Sequence, residues 1–136
     1  MSTPRQIIEI YVAILLSLLV LDTAWISLVA FKQFHAAIGG IMRPVPLLAP
    51  AVAFYLVYSA GLVKLAVASA LRQQSMLAAA GNGALLGLVA YATFDLTNLS
   101  IIQGWTYAIA AIDIAWGAAL SSTAAAVGYA VGARRK

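Results

Sequence analysis

The chain has 136 residues, 64% of them hydrophobic and 9% charged, with no cysteine and a formal net charge of +4. Soluble domains carry about 25% charged residues, and a chain this short could not hide so much apolar surface from water. Lipid is therefore the expected solvent, and the composition excludes disulfides, thiolate catalysis and cysteine-ligated metals.

A helix needs about 20 apolar residues to cross roughly 30 Å of hydrocarbon. The first such run extends from about Gln6 to Ala30, longer than the core of a cleaved signal peptide. Ser2, Thr3 and Pro4 before it suit a helix start. Residues 31–46 follow, with Lys32, His35, the Gly39-Gly40 pair, Arg43, Pro44 and Pro46. This punctuation predicts an outer loop or a short interfacial helix, with Phe31 and Phe34 at headgroup level. The second span covers 47–70, with Pro50 in its first turn, where proline is tolerated. Arg72, Gln73, Gln74 and Ser75 make a polar turn. The third span covers 76–99 and the fourth 105–132, ending at Arg134-Arg135-Lys136. The expected fold is an all-α, four-transmembrane-helix up-down bundle forming one integral membrane domain over 1–136.

Lys and Arg counts set orientation. Arg5, Arg72, Arg134, Arg135 and Lys136 share one side, joined by Lys64 if it snorkels, against Lys32 and Arg43 on the other. Both termini are thus expected in the cytoplasm. The positive charge is explained by topology and lipid headgroups, and no basic stripe suggests nucleic acid as a partner. Gly83 and Gly87, Gly128 and Gly132, and the row Gly117, Ser121, Ala125 have small-residue spacing that lets helices approach closely in lipid. Packing within one chain is the expectation, ahead of a homodimer interface.

Three aspartates, Asp22, Asp95 and Asp113, lie inside apolar spans. Each costs about 2.5–3.5 kcal/mol at mid-membrane on insertion scales, so something other than insertion requires them. At about 1.5 Å per residue, Asp22 falls about 12–15 Å before the outer end of its helix. Asp95 falls about 8–13 Å before the outer turn, and Asp113 about 12–14 Å beyond it. Up-down topology therefore predicts one shared level in the outer half of the membrane. Asp22-Thr23-Ala24-Trp25 and Asp113-Ile114-Ala115-Trp116 each pair a carboxyl with an indole at i+3. Asp95-Leu96-Thr97-Asn98 has asparagine in that place, with Tyr91 one turn earlier. Carboxyls grouped in low dielectric cannot all ionise, so at least one is expected to hold a proton. Asn98, Tyr91, Thr97 and the indoles of Trp25 and Trp116 are the expected partners. The competing reading is that protonated carboxyls merely tie helices together.

Other polar groups are less informative. Glu9 and Lys64 lie near the inner face and read as an ion pair or snorkelling side chains. His35 reads as an exposed loop residue. Tyr55 and Tyr58 read as packing or interfacial residues. No HExxH, phosphate-loop, dinucleotide-binding or serine-nucleophile motif is present, and neither a metal site nor a cofactor is expected.

The segment Tyr91-Ala92-Thr93-Phe94-Asp95-Leu96-Thr97-Asn98-Leu99, then Gly104-Trp105, then Asp113-Ile114-Ala115-Trp116-Gly117, resembles a family of small bacterial four-helix inner-membrane proteins of unknown function. Their pattern reads approximately Y-A-T-[YF]-D-L-T-N-L, a turn with G-W, then V-D-I-A-W-G. Leu21-Asp22-Thr23-Ala24-Trp25 and Phe54-Tyr55-Leu56-Val57-Tyr58 before Ala60-Gly61-Leu62 look like the same family. Lys64 departs from it, standing where an aromatic or apolar residue is expected. The resemblance implies a bacterial inner-membrane location and a site at Asp22, Trp25, Asp95, Asn98, Asp113 and Trp116.

Three functions compete. The first is a pocket for a small lipid-soluble or cationic ligand, or for protons, built from Asp22, Trp25, Tyr91, Asp95, Asn98, Asp113 and Trp116. The second is a membrane-embedded enzyme on a lipid-like substrate, isomerase- or hydratase-like, with Asp95 and Asp113 as the acid–base pair; a pocket opening sideways to lipid would favour it. The third is a structural or accessory subunit whose aspartates only pack helices. Transport would call for a second copy, since four helices are few for an alternating-access path.

Overall fold

The computed structural model describes residues 2–134; Arg135 and Lys136, counted above toward orientation, lie outside them. All of the regular structure described is helical, and four helices are long and apolar enough to cross a membrane: Pro4–Ile41, Leu48–Gln73, Met76–Ile101 and Tyr107–Ala133. These are the first to fourth helices below.

The helix starts follow local chemistry. Thr3 caps the first helix by accepting from the Gln6 amide at 3.2 Å, and Pro4 fills the first position, where no amide hydrogen is needed. Ser75 and Thr106 cap the third and fourth helices the same way, accepting from the amides of Ala78 and Ile109. Gln74 closes the second helix in the left-handed conformation, φ 53°, so the chain reverses within two residues.

Residues 31–46, expected as an outer loop or a short interfacial helix, divide: the first helix runs on without a break to Ile41, and only 42–47 connect it to the second. The first helix stays α-helical to Trp25, widens into a π-turn over Ile26–Ala30, resumes as α-helix over Phe31–Ile38 and tightens to a 3-10 turn over Gly39–Ile41. At about 1.5 Å per residue it is far longer than a bilayer core. The overrun is held by packing: Phe34, Ala37 and Ile38 lie against Trp105, Ile109 and Ala110 of the turn and helix opposite. Gly104, with φ 94°, abuts the Ala37 carbonyl, where a Cβ would collide. A second π-turn interrupts the second helix at Val63–Val67, and the Asn82 amide donates to the Ala66 carbonyl there at 3.2 Å.

Apolar burial is not a driving force between helices in lipid, so close contact must hold the bundle. The third and fourth helices make the tightest seam. A Cβ at Gly83 would lie 2.5 Å from the Ser121 carbonyl oxygen, and one at Gly87 would lie 2.6 Å from Ser121 Oγ. Gly128 receives Ile14 of the first helix at a hypothetical Cβ distance of 2.8 Å. The small-residue rows are thus used inside one chain, as expected. Near the termini, the core of Ile10, Ile14, Leu62, Val67, Leu120 and Ala124 is essentially solvent-free, and Leu28, Val57, Leu77 and Leu85 point outward. Glu9 pairs with Arg5 at 3.3 Å, one turn away, and Lys64 is exposed.

Candidate functional site

Toward the end of the bundle that carries the first connection, packing loosens. The fourth helix lies centrally, against the other three. The second helix meets the third through its last turns, but its first half, Leu48–Leu62, hardly approaches it. Tyr58 and Tyr91 mark the point of divergence, their rings meeting edge to face at 6.4 Å. Beyond them, between Phe54 and Phe94, a cavity of about 320 Å³ opens. All four helices contribute to its wall, and the π-turn Ile26–Ala30 borders it through Ile26 and Ala30. Wide turns of this kind often mark functional positions in helices.

Asp22, Asp95 and Asp113 are all buried. Asp22 and Asp113 line the cavity together with Trp25, Tyr91, Phe34 and Phe94. Asp22 accepts at both oxygens: from the Tyr55 hydroxyl at 2.5 Å and from the Trp116 indole nitrogen at 3.1 Å. Trp116 and Trp25 stack in parallel, centroids 4.6 Å apart and planes 4° from parallel. The repeated aspartate–tryptophan pairs of the first and fourth helices therefore meet face to face. The exchange is not reciprocal, because Trp116 reaches across to Asp22 while the Trp25 indole nitrogen is buried with no partner.

Asp95 has no solvent exposure. Its carboxyl lies against that of Asp113, with the Trp105 indole alongside. Neither Asp95 oxygen has a donor in hydrogen-bond geometry, and neither does the Trp105 indole N–H have an acceptor. Two ionised carboxyls are both acceptors, so they bond to each other only through a proton. Asp113 stands between this sealed group and the cavity. The seal is made by the overrun of the first helix, because Phe34 packs on Trp105 at 4.9 Å.

Tyr91 lines the cavity, its ring lying over Gly117, where any Cβ would occupy the ring's place. Asn98 and Thr97 are not drawn into the network. Asn98 is part-buried with no side-chain hydrogen bond among the described residues, and Thr97 is exposed. Helical geometry explains Thr97, which at about 100° per residue points nearly opposite to Asp95; Asn98 stands at the same i+3 offset as Trp25 and Trp116 but lacks their reach. His35 is exposed and contacts Phe31.

Two contributors were not expected from sequence. Tyr55 supplies a donor to Asp22, and Tyr58 hydrogen-bonds Ser121 across the bundle at 2.5 Å. The signal available was their i, i+3 spacing, which puts both hydroxyls on one face of the second helix.

A buried acidic cluster under an aromatic-lined cavity accompanies a match to the family model described as "Predicted membrane protein (DUF2177)", over residues 7–130. The chain belongs to this family. The match covers nearly the whole chain and reaches into all four apolar helices. Neither a curated protein nor a solved structure matches the chain.

Proposed function

We propose that the chain is a multi-pass protein of a bacterial inner membrane, with both termini cytoplasmic, and that its cavity binds a small lipid-soluble molecule with a polar head. The observation that carries this reading is the cavity itself. It has a carboxyl from Asp22 and one from Asp113 in an aromatic wall, and it lies where the second and third helices part. A molecule dissolved in the bilayer reaches such a site sideways, leaving its tail in lipid. Ligand sites are typically apolar clefts of about 300–1,000 Å³ with a few polar groups that fix orientation. Helix gluing alone requires neither a cavity nor three expensive carboxyls at one level.

A second reading is acid–base catalysis on a lipid-like substrate. It shares the sideways access of the cavity and is further favoured by the contact of Asp95 with Asp113, since a sealed carboxyl behind a cavity-facing one can lend and recover a proton. In that reading Asp113 touches the substrate and Asp95 resupplies it.

Native mass spectrometry of the protein released from mild detergent tests the proposal. The wild type is expected to retain a molecule other than bulk phospholipid, and folded Asp113→Asn protein to lose it. Recovery of two species related by water or by a shifted double bond would select the enzyme reading. Bulk phospholipid alone, with Asp95→Asn and Asp113→Asn losing their helical melting transition, would leave the aspartates as structural ties.

A further inference from the structure

We infer that the occupant of the cavity carries a positive charge: an ammonium head on an apolar chain. This deepens the cavity reading above and rests on it. The first observation is the polar inventory of the wall. It presents carboxyl oxygens from Asp22 and Asp113, the unpartnered indole N–H of Trp25, and no basic side chain. Among the described residues the ion pair is Arg5–Glu9, near the chain start, and none involves Asp22, Asp95 or Asp113. Lys32 is ten residues beyond Asp22, about 15 Å along the helix, and Lys64 is a similar distance beyond Tyr55. The chain thus gathers three acids at one place and supplies no cation for them.

The second observation concerns what lies behind Asp113. Asp95 is wholly buried there, against the Asp113 carboxyl and the indole of Trp105, itself 6% exposed, and among the described residues no cation is paired with it. One proton between Asp95 and Asp113 would satisfy that pair and still leave a negative charge on it. With Asp22, whose oxygens are both engaged as acceptors, the cluster remains acidic. The third is the remaining wall. Phe34, Phe54, Phe94, Tyr91 and Trp25 line the cavity with the carboxyls, and ring faces attract cations. Carboxylates within an aromatic cage suit an ammonium group, which donates charge-assisted hydrogen bonds to the acids. A neutral alcohol forgoes the charge, and a sulfate or carboxylate head is repelled. The cavity holds about ten heavy atoms at roughly 30 Å³ each, so the head and the start of a chain fit and the rest extends between the second and third helices.

The test uses the full chain in lipid nanodiscs and three probes of one length: decylamine, decanol and decyl sulfate. Saturable binding is read as the difference between wild type and Ala90→Phe, whose added ring projects from a lining position. Decylamine is expected to bind about tenfold tighter than decanol, with no saturable decyl sulfate. Asp22→Asn and Asp113→Asn should bring the amine-to-alcohol ratio close to one. If decanol or decyl sulfate matches decylamine in the wild type, the occupant is not a cation, although the cavity reading stands. If no probe saturates, or Ala90→Phe changes nothing, the cavity reading fails and takes this inference with it. Should either aspartate variant lose its helical melt, the ratios in the wild type still decide.

Discussion

Replacing Gly87 by alanine probes the seam that positions half the site. The new methyl would fall on the Gly117 carbonyl oxygen and 2.6 Å from Ser121 Oγ. The Gly117 carbonyl is backbone of the facing helix, so no side-chain rotation relieves the collision there. The helices must move apart by about 1 Å, and a gap of that size forfeits a quarter to a half of the dispersion well at each contact. Overpacking of this kind costs about 1–3 kcal/mol, and rigid backbone opposite the methyl puts Gly87→Ala at the upper end. Alanine's higher helix propensity returns up to about 1 kcal/mol, leaving a net loss of about 2 kcal/mol. Gly81, on the same helix, has open space at its Cβ, so Gly81→Ala should be neutral or stabilising by up to about 1 kcal/mol. Reversible unfolding in mixed micelles, followed by circular dichroism, measures the pair. The two variants should differ by about 2–3 kcal/mol. A difference under about 0.5 kcal/mol would refute the account of the seam.

Other predictions concern the site and its cover. Tyr55→Phe removes one of two donors to Asp22 and should cost about 1–2 kcal/mol in the same assay, near the upper range for membrane hydrogen bonds. Tyr11→Phe, which loses an exposed bond to the Leu56 carbonyl, should cost less than half of that, and equal losses would contradict the assignment. Gly104→Ala combines φ 94° with a collision at Ala37 and should cost about 2 kcal/mol or more, with faster amide exchange over 31–41. Unchanged exchange there would mean that the overrun is not held by the turn. Asp95→Asn should fold, because an amide can donate to Asp113 without a proton. Asp95→Leu leaves Asp113 alone and should be less stable by about 1–3 kcal/mol; the reverse order would remove the carboxyl pair from the account.

The convergence of the three aspartates was legible because it needs only the rise of a helix and the alternation of direction. Spacing alone placed Asp22, Asp95 and Asp113 at one level, and they meet there. The aspartate–tryptophan repeat also carried information, since its two copies stack on each other. What spacing could not supply was reach. Asn98 stands at the same i+3 offset as Trp25 and Trp116, yet its side chain makes no hydrogen bond among the described residues, whereas the two long indoles meet across the helices. Tyr55 was passed over because a tyrosine in a span is an ordinary packing residue until a carboxyl is known to face it. The overrun to Ile41 was hidden by Gly39, Gly40, Pro44 and Pro46, which read as loop. Packing of Phe34 on Trp105 overrides that local signal, and glycine is tolerated at the end of a helix. The π-turns have no signature in this sequence at all.

A molecule taken up by the cavity from the surrounding lipid would lie beside the indole of Trp25. Trp25 in the cavity wall, with Trp116 stacked on it, gives an optical reporter. Tryptophan emission would be followed in nanodiscs as a brominated decylamine is added, for wild type and Ala90→Phe. Saturable quenching is expected in the wild type and only weak, linear quenching in the variant. Linear quenching of equal slope in both would mean that the bromine reaches the indoles from bulk lipid alone, and the cavity would not be a binding site.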